Sequence, residues 1–281
     1  MAYDYTRVQV RRESGVAWAT LDNPPINLFT AEFYIEVAKF VAEVAVDDTV
    51  RCVVLQSANP EFFIAHFDVE LILKFPVEGE AARDDELTRF AQMCETLRTM
   101  GKATLIKLAG RVGGGGSELA LSADMRFGVL GKTVVNQMEV PIGILPGGTG
   151  TQRLPRLMGR SRALEVILGG IDLDAATAER WGYLNRAFAS VEEMDAYVDA
   201  LAVRIAGFPS PAVARAKAAV LAAEPDWHEG LVEEAYQFQE LLRTPQAAPA
   251  MRRFLELGGQ TREGELAVGE LNGRVGNPGT G

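Results

Sequence analysis

The sequence predicts an α/β protein with a helical C-terminal region. Apolar runs of strand length alternate with helix-period segments up to roughly residue 190. Beyond Ser190 every patterned segment has helical spacing. No fixed-period repeat runs through the chain, so a solenoid or propeller is not expected. We therefore expect an α/β core over residues 1–190, a helical region over 191–265 and a frayed tail over 266–281.

The elements follow in order. Val8 and Val10 alternate with polar residues, Glu13-Ser14-Gly15 offers a turn, and Val16–Leu21 returns, which predicts a hairpin. Asp22-Asn23-Pro24-Pro25 ends the second strand. Thr30 is placed to cap a helix from Ala31 to about Val46, since Phe33, Val37, Phe40, Val41 and Val44 recur at helical spacing. Val50–Leu55, Ala103–Leu108 and Met125–Leu130 read as buried strands, with a helix over Glu86–Met100 between the first two. A glycine run, Gly113–Gly116, precedes a helix expected over Ser117–Ser122 with Glu118 in its first turn. Helices are expected from Thr149 onward, over Ser161–Leu168 and Ala175–Trp181, then over Val191–Ala206, Pro211–Ala223, Gly230–Leu242 and Ala250–Leu257.

Composition narrows the function. The 281 residues are 48% hydrophobic and 23% charged, which suits a folded globular chain. A net charge of -10 with no basic run argues against nucleic acid, but leaves room for a small phosphate-bearing ligand. Cys52 and Cys94 lie in no ligand spacing, and only His66 and His228 are present, so neither a disulfide scaffold nor a Cys/His metal centre is expected. The first residues lack the apolar stretch of a signal peptide, and no run approaches the ~20 residues of a membrane span. The expectation is a cytoplasmic protein without membrane contact.

Three segments carry chemistry. In the first, residues 61–69, an aromatic run ends in Ala65-His66-Phe67-Asp68 and taken alone reads as a buried strand-to-loop junction. The second, residues 110–121, puts glycines after a strand and before a helix. There, backbone N–H groups can approach a ligand unobstructed and the helix start adds partial positive charge. A phosphate or an oxyanion would suit it, and so would a plain flexible turn. It matches neither the P-loop nor the dinucleotide fingerprint. In the third, residues 136–154, Glu139 stands among apolar residues, either hydrogen-bonded in the core or poised with a raised pKa.

Together these segments resemble the crotonase (enoyl-CoA hydratase/isomerase) family. FFIAHFDV, GRVGGGGSELALSADMRF, NQMEVPIGILPGGTGTQRLPRLMG, GGIDLDAATAERWGYLNRAF and PAVARAKAAV are similar to family segments in this order, over roughly Val8 to Ala223. The resemblance implies a spiral of ββα units, a helical C-terminal trimerisation region and a homotrimer or hexamer. It implies an acyl-CoA thioester substrate, with coenzyme A arriving as part of it and no separate cofactor. The thioester oxygen would sit between the backbone N–H groups of Phe67 and Gly115. Such fixed donors stabilise enolate charge, and loss of one typically costs ~2.7–4 kcal/mol in the barrier. Glu118 and Glu139 match the paired acid/base carboxylates of family hydratases. Isomerases generally use the second alone, and a chain that only binds CoA would need neither. Ile26 and Ala65 match positions along the CoA groove, and His66, Asp68 and Gly114 are further candidate substrate- or CoA-binding residues. Lys217 matches a lysine that approaches the CoA phosphates, although a solvated helix lysine is the plainer role. Arg126 and Arg153 are expected to brace the fold.

The chain departs from the family pattern at His66 (usually glycine), at Phe67 (usually small), at Met138 (usually proline) and loosely beyond Leu241. His66 is open to three roles: narrowing the pocket, donating to the substrate, or packing in the core.

Overall fold

In the computed structural model the described residues are 3–224 and 226–276. The hairpin forms as β1 (Val8–Glu13) and β2 (Val16–Leu21), antiparallel. Ser14 and Gly15 take φ of 50° and 75°, the left-handed pair that a two-residue hairpin turn needs. Thr30 caps α1 (Ala31–Val46) by accepting the Phe33 N–H, and the five apolar residues that predict this helix are its buried face.

Three rounds of one pattern follow. In the first, β3 (Cys52–Ser57) leads to β4 (Phe62–Ile64), α2 (Val69–Ile72) and α3 (Arg89–Thr99). The second runs β5 (Ala103–Leu108), β6 (Arg111–Gly113) and α4 (Gly114–Leu121). The third runs β7 (Met125–Val129), β8 (Val134–Asn136), α5 (Gly150–Met158) and α6 (Arg160–Gly169). Each round gives its long strand to one sheet and its three-residue strand to another. With β9 (Leu173–Asp174), α7 (Ala175–Trp181) and β10 (Arg186–Phe188), the sheets have orders β1-β2-β3-β5-β7-β10 and β4-β6-β8-β9. Only β1 and β9 pair antiparallel; the other neighbours are parallel and reached through helices.

The long sheet is covered on both faces. Phe33, Val37 and Phe40 of α1 and Leu97 of α3 pack on one side with Val53, Leu55 and Ile106. On the other, Met194, Val198, Ala202 and Ala206 of α8 (Val191–Ala206) meet Trp18, Val54, Leu105 and Phe127. α9 (Ser210–Leu221) follows, then α10 (His228–Leu242), α11 (Ala247–Glu256), α12 (Arg262–Leu266) and α13 (Val268–Gly276). Leu242 of α10, Met251 and Phe254 of α11, and Leu271 and Val275 of α13 close a third cluster over Val69, Ile72, Met138 and Ile142. Arg126 and Arg153 are buried braces: the first donates to the carbonyls of Tyr183 and Ala123, the second to Thr149 and Glu95.

Two expectations need correction, and a third is sharpened. The tail from Leu266 is not frayed as far as Gly276: α13 is helical and docks Leu271 and Val275, apolar residues one helical turn apart. Residues 277–281 of that expected tail lie outside the described residues. The helix after the glycine run starts at Gly114, not Ser117, so Glu118 sits in its second turn. The buried strand-to-loop junction expected over residues 61–69 forms, and its strand part is β4 of the second sheet.

Candidate active site

The glycine run is where two chain segments touch. A β-carbon on Gly116 would lie 2.6 Å from Ile64 Cβ, and one on Gly113 would lie 2.5 Å from the Ala65 carbonyl oxygen. Gly114 has φ of 45°, and a β-carbon there would meet His66 Cβ at 2.9 Å and Glu139 Oε1 at 3.1 Å. Only glycines let α4 begin this close to residues 64–67.

The contact brings Phe67 and Gly115 together. Phe67 N lies 3.7 Å from the point a Gly115 β-carbon would occupy. Phe29 bridges Phe67 in parallel: its N–H donates to the His66 carbonyl (2.9 Å) and its carbonyl accepts from Asp68 N–H (3.1 Å). Both ladder bonds are therefore made by Phe29, and the Phe67 N–H faces the other way. Gly115 is in the first turn of α4, where an amide has no intrahelical acceptor. Both residues line one cavity of about 550 Å³.

Two carboxylates face that cavity. Glu118 Oε1 accepts the N–H groups of Gly148 and Gly150, each at 2.8 Å, at the start of α5. Burial pushes its pKa up to about 7 against those two amides and Arg153. Glu139 follows β8, and Gln137 donates to both its oxygens at 3.3 and 3.2 Å. Burial first, then the Glu118 charge, raise its pKa well above the ordinary carboxylate value. Folding thus joins two acids from different rounds of the spiral, and groups this close titrate as a set.

A third acid belongs to the set. Glu234 of α10 is buried and accepts the N–H groups of Thr149 (2.6 Å) and Thr151 (2.9 Å) and the Thr151 hydroxyl. Burial and the Glu118 charge push it up to about 8. Four successive amides, 148 to 151, thus alternate between Glu118 and Glu234. Thr149 takes a left-handed φ of 104° to allow it, and Arg153 Nε holds its hydroxyl at 2.7 Å. Sequence reasoning missed Glu234, although it was marked: it stands on the apolar stripe of Leu231, Phe238 and Leu242.

The rest of the lining is largely apolar: Tyr34, Phe90, Val69, Ile142, Ile144 and, from α10, Phe238 and Leu242. Tyr34 and Phe90 stack at 5.8 Å, and Phe67 meets Phe90 edge-on. Met138 is a buried part of this wall. His66 lines the cavity but spends both ring nitrogens on the protein. Asp68 caps α2 by accepting the Glu70 N–H. Ile26 and Ala65 are not in the lining; they form a small separate cluster with Phe62. Lys217 is not in the lining of this cavity; half-buried on α9, it pairs with Asp124 (2.9 Å) and donates to the Lys102 carbonyl (2.9 Å).

Comparison with known proteins agrees with this architecture. A family model described as enoyl-CoA hydratase/isomerase matches residues 11–261. A crystal structure from Streptomyces avermitilis, provisionally named an enoyl-CoA hydratase, superposes with a TM-score of 0.88 at 36% identity, over 97% of this chain and 99% of that one. Pseudomonas aeruginosa DspI superposes at 0.71 with 26% identity, over 90% and 95%. The fatty acid oxidation complex subunit alpha of Shewanella oneidensis is 34% identical over 178 residues, 62% of this chain. The match spans only 25% of that relative's length. A match over most of the chain, on a spiral whose two sheets are fed by the same repeated unit, places this protein in the enoyl-CoA hydratase/isomerase family.

Proposed function

We propose that the protein is a 2-enoyl-CoA hydratase. One observation carries the reading: Glu118 and Glu139, both with raised pKa, share a cavity with the outward amides of Phe67 and Gly115. The thioester oxygen would sit between those amides and the acyl chain against the aromatic and aliphatic wall. Water then adds across the conjugated double bond. Its hydroxyl bonds to the β-carbon and its proton passes to the ionised carboxylate, while the protonated partner gives its own proton to the α-carbon. Near neutral pH a set holding one proton between two acids suits this exchange. Charge gathers on the thioester oxygen during the step, where fixed N–H dipoles act without reorganising.

The relatives named for fatty acid oxidation support a fatty acyl chain. No metal or organic cofactor enters the scheme beyond the coenzyme A of the substrate. We further propose a cytoplasmic homotrimer or hexamer; among the described residues no helix is long and apolar enough to cross a membrane. A second reading is double-bond isomerisation. It is favoured by the tying of Glu118 Oε1 to two amides, which leaves Glu139 the freer proton carrier.

Crotonyl-CoA and a 3-enoyl-CoA separate the two. Hydration predicts loss of conjugated absorbance with the first, and a fall of about 10²–10⁴-fold in kcat for either Glu118→Gln or Glu139→Gln. Gain of absorbance with the second substrate, surviving Glu118→Gln, would instead establish isomerisation. Silence toward both, with acyl-CoA still bound, would leave only a binding protein.

A further inference from the structure

His66 closes a circuit of hydrogen bonds between the Phe67 loop and the C-terminal helices. Its Nδ1 lies 2.8 Å from the Phe67 carbonyl oxygen, and its Nε2 lies 3.0 Å from Glu265 Oε1 on α12. Glu265 Oε1 also accepts the Gln260 N–H at 2.8 Å. The Gln260 side chain in turn accepts the Val69 N–H at 2.6 Å, two residues past Phe67. His66 and Glu265 are each 2% exposed, so their pair is buried, while Phe67 and Gln260 are half-buried. Phe254 of α11 seals the ring edge-on at 5.7 Å.

The acceptors fix the ring's state. A carbonyl oxygen accepts only, and so does an ionised carboxylate. With one at each nitrogen, the ring must carry a proton on both. We propose that His66 is an imidazolium at neutral pH which, paired with Glu265, acts as a positioning residue for the Phe67 amide. This deepens the hydratase reading and rests on it, because the amide matters only if a thioester oxygen meets it.

Phe67 is then held from both sides. The peptide before it is pinned by the Phe29 N–H on the His66 carbonyl, and the one after it by the His66 ring on its own carbonyl. The charged groups facing the ring are Glu265 on α12, Asp68 on its own segment and Glu139 across Gly114, with Arg111 acting on Glu265. Burial alone would lower the His66 pKa, but the Glu265 charge and hydrogen bond reverse this and raise it. Burial would raise Glu265, and the His66 charge lowers it. The pair's stabilisation is lost at the acid end as pH falls through the lowered Glu265 value. At the alkaline end it is lost as pH rises through the raised His66 value.

The test uses the full chain and its variants His66→Ala, Glu265→Ala and Glu265→Gln. Nitrogen NMR reads the ring directly, with only two histidines to assign. A doubly protonated His66 at pH 7 is expected, and a neutral ring overturns the proposal. With crotonyl-CoA, His66→Ala and Glu265→Ala should lose about tenfold or more in kcat with KM within about twofold. Glu265→Gln can donate its amide to a neutral Nε2, which leaves the Nδ1–H on the Phe67 carbonyl. It should therefore recover most of kcat and abolish the alkaline limb that His66 sets in the wild type. Unchanged kcat per folded His66→Ala molecule overturns the positioning role. If the wild type itself is silent toward crotonyl-CoA, the hydratase reading has failed separately. Amide exchange at Phe67 and Val69 then decides the positioning claim: faster in His66→Ala upholds it, unchanged overturns it.

Discussion

At the scale of single residues, the proposed chemistry trades against stability. A carboxyl whose pKa rises on folding favours the folded state most below its unfolded value near 4.5, and this is lost as pH rises through the folded value. For Glu118 that loss runs from the unfolded value of 4.5 up to about pH 7, since burial holds the folded group at about 7. Glu118→Gln retains an oxygen for the Gly148 and Gly150 amides but cannot ionise. The variant should match wild type in Tm near pH 5 and exceed it near pH 8.5, by on the order of 3 kcal/mol in stability. A Tm difference that does not grow with pH would refute this. Gly116→Ala tests packing instead: its β-carbon would sit 2.6 Å from Ile64 Cβ, and β4 would have to move. We expect a loss of about 1–3 kcal/mol in denaturant unfolding. Glu139 was legible in the sequence because an acid among apolar neighbours stands out, whereas Glu118 was singled out only by the family resemblance. Glu265 was not legible, since its burial exists only once α12 docks on His66.

At the scale of elements, legibility followed length. The β1–β2 hairpin, α1 and α8 carry a full period of apolar residues and appear where their pattern puts them. The strands β4, β6 and β8 have three residues each, too short for any alternation to show, so the second sheet was invisible. The repeated ββα unit shows no constant period, because its long strands begin at Cys52, Ala103 and Met125, so only the family resemblance pointed to it. α10 is the element whose attachment can be tested. Glu234 gives two amides and a hydroxyl of α5 their acceptor. Glu234→Leu leaves these donors unpaired and should cost roughly 3 kcal/mol or more. It should also raise KM for acyl-CoA, since Phe238 and Leu242 of α10 wall the cavity. Glu234→Gln, which keeps one acceptor oxygen, should lose clearly less. Equal Tm and KM for the two variants would show that α10 is held by its apolar face alone.

At the scale of the whole molecule, α6 presents Leu164 and Leu168 to solvent, and Ile171 follows in the loop, 45%, 62% and 41% exposed. Such a patch fits a subunit contact. Light scattering should return three or six times the 30.4 kDa chain mass, and a monomer in dilute solution would refute the assembly. The fold class was readable from β/α alternation, whereas the enclosure of the site was not, because it depends on helices that follow the last strand. That arrangement has a consequence for biosynthesis. The helices that roof the cavity, and those that carry Glu234 and Glu265, follow the α/β core in the chain and are synthesised after it. A nascent chain that ends before His228 lacks Phe238, Leu242 and Glu234. The enclosed cavity is therefore completed late, when these helices dock on the core.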